Sequence, residues 1–360
     1  MAFGIWSHLF PFNLRANRYS SNGYFHDEKS FRFEMARERV RVDRNRSPLA
    51  VLTIELPSDR ATAGDFDFLG RVLVRRLRIT DTIGLLSNRV IGVLLPDTAK
   101  SGAWKVASDI CSVYPVGHDR PNCEVYVYPE EPPHRHDGSN GAEHHPDDVV
   151  APSSIDTLLA QPTPPWKRLV DIFGASIGLL TTAPLLLPCI AAIKLSSRGP
   201  VFYTQEREGL AGRRFRMYKL RTMHVDAEKR QQSLRAMSEQ DGPAFKMTDD
   251  PRTTAVGRWL RACSLDELPQ FVNVLRGEMS LVGPRPLPTI ESLACSPWQR
   301  QRLWVAPGMT GIWQVAGRST VKFDQWMRMD VAYVRRRSFL CDMRLILSTG
   351  PSLIFKRGPR

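Results

Sequence analysis

"LVDIFGASIGLLTTAPLLLPCIAAI", residues 169–193, is the stretch on which the fold class turns. At about 1.5 Å per residue, a helix of this length covers the ~30 Å hydrocarbon core of a bilayer. Pro184 and Pro188 interrupt its hydrogen-bond ladder, and basic residues flank it, Lys167 and Arg168 before it and Lys194 and Arg198 after it. Positive residues favour the cytoplasm. A helix bent at Pro184 and returning to the same face satisfies both basic ends, whereas a straight crossing leaves one outside. The expectation is therefore a re-entrant helix hairpin, with a straight crossing as the alternative that length alone supports. Backbone groups freed at the bend need partners in lipid, and Thr181 and Thr182 are the nearest hydroxyls to supply them.

The whole chain is basic. Fifty Lys and Arg against thirty-seven Asp and Glu give 360 residues a net charge of +13 and a pI near 9.8. Such a surplus predicts an anionic partner: nucleic acid, a phosphorylated metabolite or an acidic membrane face. The six cysteines (Cys111, Cys123, Cys189, Cys263, Cys295, Cys341) show no C-x-x-C spacing, which argues against both a zinc knuckle and a disulfide framework. A reducing, cytosolic setting follows. The first residues, "MAFGIWSHLFPFNLRANRYS", lack the long apolar core and small-residue cleavage site of a secretory signal. They are expected to form a leader, 1–28.

Between 29 and 117 helical and strand-like patterns alternate. "FRFEMARERVRVDRNRS" is amphipathic, "LAVLTIEL" is a buried strand and "DFLGRVLVRRLR" a helix. "DTIGLLSNRVIGVLLP" makes a hairpin and "AKSGAWKVASDICSVY" a second helix. This succession resembles the nucleotide-cyclase-like fold of GGDEF proteins, with "SNRVI" at 87–91 where their signature stands. Ser87, Asn88 and Arg89 supply neither close backbone approach nor carboxylate ligands, so a positioning or interaction module without cyclase activity is expected. Residues 118–165, rich in Pro, Gly, Asp and His, are expected to be a flexible linker. His134, His136, His144 and His145 show no ordered ligand spacing and are assigned no role.

Chemistry concentrates further on. "FYTQEREGLAGRRFRMYKLRTM", 202–223, predicts a β-hairpin carrying Arg207, Arg213, Arg214, Lys219 and Arg221. A turn at Asp250-Pro251 leads into a short helix with Arg252, Arg258 and Arg261. Then "SLDELPQFVNVLRGEMSLVGPRP", 264–286, sets Asp266 and Glu267 side by side. Ser264-x-x-Glu267 has capping-box spacing. Pro269, however, fits best as the first residue of a helix "PQFVNVLRG" stopped by Gly277, which leaves the acidic pair at a junction between helices. There, among guanidinium groups, one carboxylate stays ionised and nucleophilic while its neighbour can hold Mg²⁺, a combination suited to phosphoryl chemistry. Two further stretches, 296–305 and 341–357, mix Trp, Leu and Ile with Arg and Lys. They suit either helices flat on headgroups or ordinary core helices.

The run from Asp250 to Pro286, with "KLRTM", "APGMTGIWQVAGR" and "MDVAYV", closely resembles the bacterial sugar transferases known as monotopic phosphoglycosyl transferases, in order over about 166–360. The resemblance implies a mixed α/β chain. A membrane-associated, mainly helical transferase domain with membrane segment 169–193 and a basic β-hairpin follows the small cyclase-like domain. It implies transfer of a sugar-1-phosphate from a UDP-sugar to polyprenyl phosphate, with release of UMP. The enzyme would be a membrane protein acting at the cytoplasmic face of the bacterial inner membrane, at the start of exopolysaccharide or O-antigen synthesis. Asp266 matches the family's nucleophile, which forms a covalent phosphosugar enzyme, and Glu267 its partner in binding Mg²⁺ (or Mn²⁺). Arg285 matches a nucleotide-associated residue and Asp330 an acid that contacts metal or nucleotide. Lys219, Arg221 and Arg318 are further candidates for phosphate. Lys167, Arg168 and Pro184 match the root and kink of the family's re-entrant helix, although Ala183 stands where the family has serine.

Three matters stay open at this level: the sugar, the glycan pathway and whether two copies pair as a homodimer. No nucleic-acid motif accompanies the basic charge, so nucleic acid is not expected as a partner. A catalytically silent membrane scaffold is the remaining rival, and the intact acidic pair speaks against it.

Overall fold

Strands buried on both faces need cover on both sides, and the N-terminal unit is built that way. The computed structural model describes residues 25–56, 63–87, 89–114, 121–129, 155–317 and 321–354. Its first unit runs α1 (Glu28–Asn45), β1 (Leu49–Glu55), α2 (Ala63–Arg76), β2 (Thr82–Leu85), β3 (Val90–Pro96), α3 (Lys100–Val113) and β4 (Asn122–Tyr128). The four strands form one antiparallel sheet in the order β2-β3-β1-β4. Ala50, Leu52 and Ile54 of β1 point into a core closed by Leu69 and Leu73 of α2 and Ala103, Ala107 and Ile110 of α3. The other face takes Phe31 of α1, whose ring fills the place of a Cβ at both Gly84 and Gly92, paired across β2 and β3. Asp27 caps α1 by accepting from the Ser30 N–H at 3.0 Å.

One expectation changes here. The linker foreseen over 118–165 contains β4, paired along its full length with β1, and its far end contains the short helix α4 (Ile155–Leu159). "NCEVYVY" alternates as a strand does, but the Pro- and His-rich text on either side masks the alternation. Most of residues 1–28 and of the linker, including His134, His136, His144 and His145, lie outside the described residues, as does Asn88.

The second unit begins with α5 (Pro165–Ser196). It continues through β5 (Phe202–Glu208), β6 (Arg214–Leu220), α6 (Ala227–Leu234), α7 (Ala255–Cys263), α8 (Gln270–Arg276), β7 (Ser280–Val282), α9 (Thr289–Leu293) and α10 (Pro297–Arg300). β8 (Gly308–Thr310), α11 (Ile312–Ala316), α12 (Phe323–Arg336) and α13 (Phe339–Ile354) complete it. The basic hairpin is present, with β5 and β6 antiparallel and in register from Phe202↔Leu220 to Glu208↔Arg214. β7 and β8 pair in parallel, and Gly283 and Gly308 lie too close for any side chain: a Cβ on Gly308 would sit 2.0 Å from the Gly283 nitrogen.

α5 is one continuous helix through Pro184 and Pro188, so the break expected at Pro184 does not interrupt it. It is the one helix among the described residues apolar and long enough to cross a membrane, and only 11% of its most apolar window is buried. The threonines do not perform the rescue expected of them. Thr181 and Thr182 donate to the Ile177 and Gly178 carbonyls at 2.8 and 2.6 Å, a turn before the Leu180 carbonyl that Pro184 deprives of its donor. Such back-bonding bends helices rather than mending them.

The basic root of α5 is turned into the fold. Lys167 is 2% exposed and donates to the Asp342 carboxylate at 2.6 Å and the Val282 carbonyl at 2.9 Å. Tyr333 donates to the same Asp342 at 2.8 Å. Arg168 donates to the Val274 and Leu275 carbonyls, both at 2.6 Å, capping the end of α8. At the other end of α5, Cys189 and Ile193 pack with Val201, Leu220 and Leu260. Both ends of the apolar helix are thus bound to one folded unit.

Candidate active site

Ser264 ends α7 in the left-handed conformation, φ 58°, so the chain turns sharply and the next three residues, Leu265–Glu267, form a single 3₁₀ turn before α8. Pro269 stands as the N-cap of α8 rather than its first residue, and Gly277 ends that helix at φ 84°, as the sequence predicts. The capping-box spacing of Ser264 and Glu267 is not used. Glu267 instead reaches Lys219 of β6, whose Nζ donates at 3.2 Å, and Arg285, whose guanidinium donates to both carboxylate oxygens.

Asp266 is 7% exposed, and its carboxylate takes no hydrogen bond among the described residues. Burial pushes its pKa up, the Glu267 charge adds to this, and Lys219, Arg261 and Arg285 oppose it. The pair therefore diverges. Burial also works against ionised Glu267, but Arg285 and Lys219 overcome it and hold that carboxyl well below the usual range. One acid is locked as an anion by two cations; the other faces the cavity without a partner.

That cavity, of about 990 Å³, lies between the hairpin, the acidic turn, the Gly-Pro-Arg-Pro segment and the helices beyond it. Lys219, Arg221, Arg285, Asp266 and Glu267 all line it, so the structure gathers most of the predicted site residues in one place. Arg221, 6% exposed, donates to the Ser197 carbonyl and hydroxyl at 2.9 Å each. Arg318 lies outside the described residues. Asp330 does not line the cavity. It is 1% exposed and ion-paired with Arg302 at 2.9 Å, in place of the direct metal or nucleotide contact expected. Burial raises its pKa to about 6 against the pull of Arg302. Arg302 in turn donates to the Arg285 carbonyl.

Arg207 also lines the cavity. It donates to the Pro286 carbonyl at 2.9 Å, so the turn that aims Arg285 is held from two sides. Its pKa falls to about 10, first through burial and then through the neighbouring Arg285 charge. Arg261, Arg252 and the tilted indole pair of Trp313 and Trp326, 4.4 Å between centroids, complete the wall. Like charges crowded beside one carboxylate make an anion-binding concavity. Arg207 and Arg261 stood in the sequence within the basic hairpin and the helix before the acidic pair, but without a signal to separate them from Arg213 and Arg214. Arg302 had none: "SPWQRQRLWV" reads as amphipathic, yet Gln301, Arg302, Leu303, Trp304 and Val305 are all buried, which makes 301–305 core. In the other such stretch, Asp342 and Leu345 are buried while Leu347 is 76% exposed.

A divalent metal fits this donor set. No group of three His, Cys, Asp or Glu side chains gathers among the described residues, but Mg²⁺ is commonly held by one or two carboxylates with substrate phosphates completing its shell. The unbonded carboxylate of Asp266, beside Glu267, offers hard oxygens at the cavity wall.

The bacterial sugar transferase family profile matches residues 163–356. The galactosyl transferase CpsE of Streptococcus agalactiae is 43% identical over 195 residues, 54% of this chain and 43% of that protein. The exopolysaccharide production protein ExoY of Sinorhizobium fredii is 38% identical over 196 residues, covering 53% of this chain and 87% of that protein. The UDP-glucose:undecaprenyl-phosphate glucose-1-phosphate transferase of Caulobacter vibrioides is 42% identical over 198 residues, 52% of this chain and 69% of its own. Among solved structures, the GGDEF domain of FimX from Pseudomonas aeruginosa covers 31% of this chain and 79% of its own at 8% identity and a TM-score of 0.27, too slight a likeness to carry the cyclase-like expectation.

Proposed function

Since the chain belongs to the bacterial sugar transferase family, we propose that it moves a sugar-1-phosphate from a UDP-sugar to polyprenyl phosphate, with Asp266 as nucleophile. The observation that carries this reading is the asymmetry of the acidic pair. Glu267 is locked by Lys219 and Arg285, while Asp266, one residue away, is buried at the wall of a cationic cavity with no hydrogen bond to hold it back.

The donor diphosphate enters among Arg285, Arg207 and Lys219, whose charges neutralise it. An Asp266 oxygen attacks the sugar-bearing phosphorus. The P–O bond to UMP breaks, UMP leaves with the electron pair, and an aspartyl phosphosugar remains. A phosphate oxygen of the acceptor then attacks the same phosphorus and the carboxylate is restored, which yields polyprenyl diphosphate sugar. Asp266 and Glu267 would hold a divalent Mg²⁺ or Mn²⁺, which would supply further neutralisation of the phosphates. Glu267 keeps Lys219 and Arg285 in place for both steps.

Membrane attachment is through α5, whose Leu169, Phe173, Ile177 and Leu180 are exposed. A straight crossing would leave the two ends of this helix on opposite sides of the bilayer; their common attachment to one unit supports a bent helix that enters and returns from a single leaflet. The lipid phosphate and the cavity then meet at the cytoplasmic face.

Purified protein in detergent, given labelled UDP-sugar and Mg²⁺ without acceptor, is expected to release UMP and retain label on the peptide containing residue 266. Asp266→Asn is expected to lose both. Label retained elsewhere, or full turnover by Asp266→Asn, would overturn the assignment.

A further inference from the structure

We infer that the cavity has an apolar arm, walled by Phe271, Leu281, Met309 and Ile346, that takes the isoprenoid chain of the lipid acceptor and admits it between α5 and α13. The inference rests on the transfer reading above and places the acceptor's hydrocarbon, which that reading leaves unplaced.

The lining of the cavity changes character at the acidic pair. On the hairpin side it is cationic. Beyond Leu268 the wall passes to Phe271 of α8, Leu281 of β7 and Met309 of β8, three partly buried side chains packed against the cluster that Ala175 of α5 forms with Phe215, Met217, Val274 and Met279. α5 comes close here because it presents glycine: a Cβ at Gly174 would lie 2.5 Å from Leu281, and one at Gly178 2.5 Å from the Phe271 ring. The membrane helix is therefore itself part of the wall. Across from it stands α13, tied to β8 by the 2.8 Å hydroxyl contact of Thr310 and Thr349, with Ile346 lining the cavity.

The outer end of the arm is open. Gly350 lines the cavity, and a Cβ there would meet no atom within 4 Å. On the same two helices, Phe173 of α5 is 68% exposed and Leu347 of α13 is 76% exposed. Beside the polar Thr310, Gln314 and Thr349, apolar side chains thus line the cavity from Leu268, next to the acidic pair, to Ile346 of α13. A ligand that fills such a path has an anionic head among Lys219 and Arg285 and one long hydrocarbon tail leading into the bilayer. A polyprenyl phosphate has that form. Its affinity should climb with each isoprene unit buried, until the arm is full.

Gly350→Trp and Ile346→Trp narrow the arm, the first from a position whose Cβ would meet no atom within 4 Å. Two rates separate the halves of the reaction: exchange of labelled UMP into UDP-sugar with no acceptor, and transfer to a long-chain polyprenyl phosphate or to geranyl phosphate. Both variants should keep exchange within about twofold of the parent and raise the KM for the long-chain acceptor by about tenfold or more, with a smaller penalty for geranyl phosphate. An unchanged acceptor KM, or exchange and transfer falling together, overturns the arm. A parent that shows no exchange defeats the transfer reading instead. Photolabelling with a diazirine-bearing isoprenoid phosphate then still decides the arm: attachment around Met309 and within 339–350 supports it, while attachment elsewhere, or equal protection by phosphatidylglycerol, overturns it.

Discussion

Two buried ionic clusters stand in the same folded unit, one at the root of α5 and one in the cavity, and they close differently. At the root, Lys167 meets Asp342 and a backbone carbonyl, and Tyr333 satisfies the second Asp342 oxygen. Each charge has its complement. In the cavity, Lys219 and Arg285 converge on Glu267, Arg207 crowds in beside them, and Asp266 is left unbonded. A closed circuit of buried charge holds elements together; an open one, with surplus cations and a spare carboxylate, is a place for a ligand.

The sharpest break of that contrast is Asp266→Asn. Turnover should fall by about 10³–10⁴ while urea midpoints hold or rise, because a desolvated charge is removed; a large loss of stability would make Asp266 a structural acid like Asp342. Lys167→Met should act in the opposite sense. It strands Asp342 in the interior and should cost about 3–5 kcal/mol of stability, most of it recovered in Lys167→Met/Asp342→Leu, as read by denaturation in detergent. Arg285→Lys keeps the charge but loses the fork that spans both Glu267 oxygens. A fall of about 10²–10³ in kcat/KM for the donor is expected, with little change in stability.

The smallest effect concerns Asp330, a buried acid that belongs to neither type. Its folded pKa of about 6 lies above the ordinary 3.8, so between those values the folded chain keeps a proton that the unfolded chain has lost. The stability it contributes is full below about pH 4 and is lost as the pH rises through 6, a change of at most about 2–3 kcal/mol. Comparing the parent with Asp330→Asn across pH 4–7 isolates that slope. A flat difference would mean that Arg302 keeps Asp330 ionised throughout.

Much of the site was legible before any fold was known. Asp266, Glu267, Lys219, Arg221 and Arg285 were singled out in the sequence, and the structure draws all five to one cavity. Misreadings came where one local pattern serves two outcomes. Ser264-x-x-Glu267 has the spacing of a cap, but the left-handed Ser264 turns Glu267 away towards Arg285. Lys167 and Arg168 stand in the sequence only as a basic flank, yet each finds its partner more than 100 residues away. β4 hid because the Pro- and His-rich text on either side masked its alternation, which pairing with β1 reveals.

By itself the sequence determined the elements: periodic apolar faces, a long apolar helix, a basic hairpin and two adjacent acids, since each depends on neighbours within a turn or two. Which charges are spent on holding the fold and which remain for a substrate was decided only in three dimensions. Identical side chains, lysine with carboxylate, serve as a bolt at α5 and as an open site at Asp266. The difference lies in how many donors long-range packing brings to each acid, and in how much water it leaves there.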